Sequence, residues 1–338
     1  MKGMGFHISE WLKLQVNRVI YFKYILFRGR YAGVWDDSVK TSAGLSAPDP
    51  SERKVVYMCD GKRQHGGISE RLKGALTTYY ETKKRNLPFY IYWVSPFMLS
   101  DFLEPAGAID WQISEEEIHL NYKQSFPFIL NVTWNKPMNF LKKCLFLNSF
   151  RDKRDLLVYA NVMYVEEHFR ELYNELFKPT PYLLLHVNAH LKELGDNYCS
   201  YTFRFGNLLG DFKDNIGEPL SESSKKSFIE KNISELKKLL DNQPANTKAL
   251  VTSDSNCFLK EVIKADERIY VVDMEMVHVD FAYNASYQKE IWLKSFLDMY
   301  LIKNAEKVFQ LRTGKMYNSG FPKFASVLGD KEYVYHEF

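Results

Sequence analysis

The sequence predicts an α/β protein built on parallel sheets and divided into two domains. Three observations carry that reading. Short runs of strand-forming residues alternate with segments of helical periodicity along most of the 338-residue chain. Several of the strands end in turns of glycine and small polar residues that lead into a helix, the connection a parallel sheet needs. The length suits about two domains of ~150 residues.

The composition fits that class. Hydrophobic residues make up 46% and charged residues 26%, as in soluble globular chains. Aromatic residues reach 15%, enough for a large core and for stacking surfaces. A net charge of only +3 argues against a surface made to wrap nucleic acid. Cys59, Cys144, Cys199 and Cys257 are scattered, with no C-x-x-C, which speaks against a disulfide framework or zinc cluster and for a reducing compartment. No apolar run approaches the ~18 residues of a membrane span. Lys13, Arg18, Lys23 and Arg28 interrupt what would be the apolar core of a signal peptide, so the expected location is cytoplasmic.

Taken in order, Ser9 to Phe27 has helical spacing in Trp11, Leu12, Val16, Val19, Ile20, Tyr24 and Ile25, with basic residues between them. Residues 9–31 read either as a helix docked on the protein's own core, the preferred reading, or as a basic helix in peripheral contact with an anionic membrane. Ser38 to Glu52 is a loop. Lys54 to Met58 is a strand that leads into His65-Gly66-Gly67-Ile68-Ser69-Glu70-Arg71-Leu72. There a glycine pair opens a helix and collects backbone N–H groups at its positive end, an arrangement that serves an anion or simply starts the helix. The spacing matches neither the dinucleotide fingerprint nor the P-loop. Pro88 to Val94 is the next strand, and alternation continues to Phe150.

Helix Val165 to Leu176 ends at Phe177-Lys178-Pro179-Thr180-Pro181, where two prolines break it. This sets the expected boundary, with domains 1–178 and 179–338. His186 and His190 stand one turn apart on a helix to Leu194, without the carboxylate spacing of a zinc site. Strand Tyr201 to Phe205 carries Arg204 near its end and runs into Gly206 and Gly210-Asp211. An arginine at the C-terminal edge of a sheet suits a diphosphate, because its fork gives two parallel charge-assisted bonds. It equally suits an ion pair with Asp211 or Asp214. Helix Ser221 to Leu240, strand Lys248 to Thr252, the turn Ser253-Asp254-Ser255-Asn256, helix Cys257 to Ala265 and strand Ile269 to Asp273 follow. Asp273-Met274-Glu275 is a weak D-x-E metal pattern or a strand-to-loop step. Helix Ile291 to Leu301 and strand Lys307 to Leu311 precede a loop to Pro322, and Phe324 to Leu328 starts a last helix. Ser319 and Gly320 offer hydroxyl and backbone donors ahead of it.

Three of these segments together resemble the fucosyltransferase superfamily with the GT-B fold, which includes the nodulation, α1,6-, plant xyloglucan and protein O-fucosyltransferases. They are His65 to Gly74, Thr202-Phe203-Arg204-Phe205-Gly206, and the tail from Leu297-Asp298 through Ser319-Gly320-Phe321-Pro322 to Ala325. Val251 to Ser255 is similar to the family's acidic turn. The resemblance runs in the family's order from residue 54 onward. It implies two facing Rossmann-like domains with a cleft between them, an N-terminal acceptor domain and a C-terminal domain that holds GDP-fucose. It further implies inversion at the anomeric carbon, a glycan acceptor of bacterial surface type and no metal or other cofactor. By the same resemblance Arg204 would hold the donor β-phosphate, and Gly206, Ser319, Gly320 and Phe321 would lie at the diphosphate. Asp254 and Ser255 would touch the guanosine, and His65, Gly66, Gly67 and Arg71 would approach the diphosphate and acceptor. Asp211 is the first candidate for general base and Glu70 the second. The chain departs from the family pattern at Thr202, where a histidine is usual, and at Phe205, where the α1,6 branch has a second arginine. The acid that usually follows the arginine is also displaced, with Asn207 in its region. Another GDP-sugar, or a non-catalytic nucleotide- or glycan-binding module on the same fold, are the alternatives.

Overall fold

The computed structural model describes residues 49, 52–63, 65–121, 123–130, 136–161, 165–212, 217–277 and 288–338. The helix expected over Ser9 to Phe27, with both readings of residues 9–31, and most of the Ser38 to Glu52 loop lie outside them, as does Asp214. The strands are β1 (Val55–Cys59), β2 (Phe89–Trp93), β3 (Leu103–Pro105), β4 (Ser125–Leu130), β5 (Asp155–Ala160), β6 (Phe177–Pro179), β7 (Tyr198–Phe203), β8 (Lys248–Ser253), β9 (Ile269–Tyr270), β10 (Lys307–Arg312) and β11 (Glu332–Glu337). The α-helices are α1 (Ile68–Lys83), α2 (Lys136–Ser149), α3 (Phe169–Leu176), α4 (Pro181–Leu194), α5 (Glu222–Asp241), α6 (Asn256–Val262), α7 (Lys289–Asn304) and α8 (Phe321–Gly329).

The chain divides into two compact units. The first comprises the described residues of Met1–His65, with Glu70–Trp93 and Asp110–Val165. Its sheet is parallel throughout, in the order β2-β1-β5-β4. The two central strands, VVYMC and DLLVYA, are buried along their whole length, as the inner strands of a covered parallel sheet must be. Helix α1 approaches this sheet so closely that a Cβ on Gly74 would stand 2.0 Å from the carbonyl oxygen of Ala160 and 2.7 Å from the Tyr57 hydroxyl. That hydroxyl donates to the same carbonyl at 2.8 Å. Both obstacles are fixed, so Gly74→Ala is expected to destabilise the protein by about 1–3 kcal/mol, the range for overpacking a tight core. A urea midpoint unchanged from wild type would refute this.

The second unit comprises Gly66–Ser69, Val94–Ile109 and Glu166–Phe338. Its five strands are parallel, in the order β11-β10-β7-β8-β9, with β3 and β6 as a separate antiparallel pair. The core is aromatic and aliphatic: Tyr201 stacks on Phe309 at 4.9 Å and 7°, and Phe203 and Phe205 pack on Phe258 at 4.7 and 4.9 Å. From β7 the chain builds outward through β8 and β9, then returns to lay β10 and β11 on the other side. Strand order therefore reverses between β7 and β10, and such a switch point opens a crevice at the carboxyl ends of the strands.

Several elements differ from expectation. The first unit ends at Val165, ahead of the boundary expected at 178/179, because Glu166 and α3 are tied to α8. Phe169 packs edge-on to Phe324 at 5.8 Å, and Lys323 pairs with Glu166 at 2.6 Å. The Phe177 to Pro181 stretch is a strand followed by a helix start. Pro181 opens α4, whose N-cap Thr180 accepts from the Leu183 N–H at 3.3 Å, and a proline is suited to the first helical turn. The helix expected from His186 therefore starts at Pro181. Strand β9 ends at Tyr270 and β7 at Phe203, earlier than expected. Strand β11, with its mixed charged and aromatic residues, was not expected at all; it is an edge strand, only partly buried.

Candidate functional site

Strand β7 delivers Arg204 to the C-terminal edge of the second unit's sheet, beside the switch point. The strand stops there because the next two backbone N–H groups leave the ladder. Phe205 and Gly206 donate to Asp254 Oδ1 and Oδ2 at 2.8 and 2.7 Å. Gly206 has φ +60°, a conformation that favours glycine and aims both N–H groups at one carboxylate. Asp254 also faces Arg204, with Nε 3.3 Å from Oδ2. Asp254 is 4% exposed. Burial pushes its pKa up, while Arg204 and the two N–H groups pull it back.

Asp254 thus joins the two strand ends and fixes the plane of Arg204. The guanidinium lies 4.8 Å over the Phe212 ring, and the side chain stays 20% exposed. Among the described residues the acid that faces Arg204 is Asp254, and Asp211, one of the two partners expected from the sequence, is engaged elsewhere; Asp214, the other, lies outside the described residues. Phe212 gave no signal in the sequence beyond being aromatic.

Asp211 has a different task. Its Oδ2 accepts from the Ser255 hydroxyl at 2.9 Å and the Cys257 N–H at 2.7 Å. Ser255 in turn accepts from the Phe258 N–H at 3.1 Å as N-cap of α6. Asp254 and Ser255, expected at a nucleoside, therefore have their side chains committed inside the fold, and Asp211 fastens the loop after β7 to α6. Across the switch point, the loop after β10 is tied to the arginine: the Tyr317 N–H donates to the Arg204 carbonyl at 3.0 Å. Ser319 Oγ accepts from the Phe321 N–H at 3.3 Å, and Gly320 is the N-cap of α8. Arg204, Gly206, Asp211, Asp254 and Ser255 form one hydrogen-bonded cluster, because the Ser253 hydroxyl donates to Asp254 Oδ1 at 3.4 Å and accepts from the Ser255 N–H at 3.1 Å, and Tyr317 joins it to the loop of Ser319, Gly320 and Phe321.

The remaining predicted residues surround the turn between β1 and α1. Gly66 has φ +84°, and a Cβ on Gly67 would meet nothing within 4 Å. Arg71, expected at a ligand, is buried at 1% exposure in the first unit with its guanidinium 5.7 Å over the Trp93 ring. Glu70 pairs with Lys73 at 3.0 Å. His65 stacks on Tyr159 (centroids 5.9 Å apart, 23°) and is buried.

Burial first, and the charge of Arg71 second, push the His65 imidazole down to about 3, so the folded protein keeps it neutral. In the unfolded chain it takes up a proton below about 6.5. The stability its neutral form contributes is fully present above that value. It is lost as pH falls toward 3, at about 1.4 kcal/mol per pH unit. Guanidinium titrations between pH 7 and 4 are expected to show this slope in wild type and a shallower one, by about one proton, in His65→Phe. Equal slopes would overturn the assignment.

The two histidines on α4 are occupied: His190 Nδ1 lies 2.7 Å from the Tyr270 hydroxyl, and His186 packs edge-on to Tyr182 at 4.9 Å. Among the described residues no group of three His, Cys, Asp or Glu side chains is placed to hold a metal ion. No helix among them is long and apolar enough to cross a membrane.

Two parallel-sheet units, one with an arginine braced at its switch point, define an α/β protein of the GT-B type. Solved structures give that fold its relatives. A NodZ α-1,6-fucosyltransferase soaked with GDP-fucose superimposes with a TM-score of 0.52 at 14% identity, over 82% of this chain and 92% of that one. Fucosyltransferase NodZ from Bradyrhizobium gives 0.53 at 13%, over 82% and 93%. A mutant of Arabidopsis thaliana FUT1 in complex with GDP gives 0.52 at 11%, over 91% and 73%. No protein-family model and no curated protein matches the chain.

Proposed function

We propose that this protein is a glycosyltransferase that moves fucose from GDP-fucose to a hydroxyl of a glycan, with inversion at the anomeric carbon and without a metal. One observation carries the reading. Arg204 is held at the switch point by a buried carboxylate, next to the loop that opens α8, in a fold shared with structures that contain GDP or GDP-fucose.

The chemistry follows from the placement. As the acceptor oxygen attacks the anomeric carbon and the bond to the β-phosphate breaks, negative charge grows on the departing GDP. A fixed guanidinium and the positive end of α8, where Gly320 is the N-cap, stabilise that charge with no reorganisation. Asp211 Oδ2 is committed to two donors, so we assign Asp211 to bracing the site. Glu70, paired with Lys73, remains the candidate base. In this reading the second unit binds the donor and the first the acceptor. The four unpaired cysteines support a reducing, cytoplasmic setting, with a surface glycan as acceptor.

The test is thermal unfolding with GDP-fucose, GDP-mannose and UDP-sugars, followed by fucose transfer in excess EDTA. A ligand at 100 times its Kd adds about 2.7 kcal/mol to native-state stability. Stabilisation by GDP-fucose and transfer unaffected by EDTA are expected. Stabilisation by UDP-sugars alone would sink the donor assignment. Binding without transfer or hydrolysis would leave a non-catalytic module.

A further inference from the structure

The second unit holds a buried charge pair that the proposed reaction does not use. Lys294 and Asp298 are one turn apart on α7, with side chains 1% exposed and a separation of 3.2 Å. The cluster around them is polar: Asp298 Oδ2 is buried without a hydrogen-bond partner, and His190 and Tyr270 are joined nearby at 2.7 Å. A buried ion pair adds little stability over apolar residues of the same volume, because desolvation offsets the attraction. What it supplies here is a fixed donor. Lys294 Nζ also reaches the carbonyl oxygen of Val272, at 3.4 Å.

Val272 lies just past the end of β9, on the sheet edge that carries Arg204 and Asp254. The segment it begins is fastened again at its other end: the Met276 N–H donates to Asn256 Oδ1 at 3.3 Å. Asn256 is the first residue of α6, directly after the Ser255 cap. Between the two anchors the chain turns, with the Met274 N–H on the Val272 carbonyl at 2.8 Å, and exposes Asp273 and Glu275.

We propose that Lys294 is a positioning residue. Oriented by Asp298, and acting with Asn256 at the other end, it pins residues 271–277 where they bound the GDP-sugar site. This rests on the GDP-sugar reading above.

The test uses the full chain with GDP and GDP-fucose. Lys294→Met/Asp298→Leu replaces the pair by apolar side chains of similar volume and is expected to keep the fold. Asn256→Ala releases the same segment without touching the buried pair, and carries the test if the double variant fails to fold. Both are expected to speed hydrogen exchange at residues 273–276. Both should raise the Kd for GDP and the KM for GDP-fucose by roughly tenfold, the scale of a loosened supporting contact, with kcat little changed. A role confined to packing would leave KM unmoved. Wild-type exchange in both variants, or wild-type GDP affinity despite faster exchange, would overturn the proposal. If wild-type protein itself binds no GDP, the donor reading has failed, and the exchange data still decide whether the anchors hold the segment.

Discussion

Arg204→Ala abolishes transfer from GDP-fucose while the circular dichroism of the native fold is retained: this is the expected result that tests the site most directly. The side chain is one-fifth exposed and sits at a strand end, so its removal opens no large cavity. Losing one preorganised donor to a developing oxyanion costs about 2.7–4 kcal/mol, or roughly 10²–10³ in kcat. Arg204→Lys should recover only part of this, because an ammonium lacks both the fork and the Nε atom that faces Asp254. Wild-type turnover by the alanine variant would show that the charge on the leaving group is stabilised elsewhere.

Asp254→Ala is expected to be more damaging to the fold than to any single contact with a ligand. Its carboxylate accepts from two backbone N–H groups and faces the guanidinium of Arg204, so truncation strands all three partners at once. Removing one member of a buried charged network costs about 3–5 kcal/mol. The measurement is the denaturant midpoint at neutral pH, beside GDP affinity at a temperature where the variant stays folded. A large loss of stability with loss of turnover supports the brace. Full stability with weakened GDP binding would mean that Asp254 serves the nucleoside instead.

Much of the frame is written locally. Val55 to Cys59 and Ala249 to Val251 are short apolar runs suited to a covered parallel strand, and the glycine and serine turns that follow mark where the strands stop. Arg204 stands out for the same reason, as a charge at the end of a run of buried residues. Periodicity does not carry pairing. Whether Asp211 or Asp254 meets Arg204 depends on which strands become neighbours, and the order β10-β7-β8 is a property of the whole sheet. The same limit explains β11, whose mixed pattern makes sense only as an edge beside β10, and the burial of Arg71, which its place in the sequence does not reveal.

The α/β class, the turns at the strand ends and the arginine in one of them can be read from the sequence alone. Each depends on residues close together in the chain, where side-chain period and backbone freedom act directly. It takes the folded chain to show that Asp254 braces that arginine, that Asp211 and Ser255 cap a helix, and that Lys294 reaches Val272. Those assignments join residues separated in the chain, and burial decides which of several available acids each cation or N–H must satisfy.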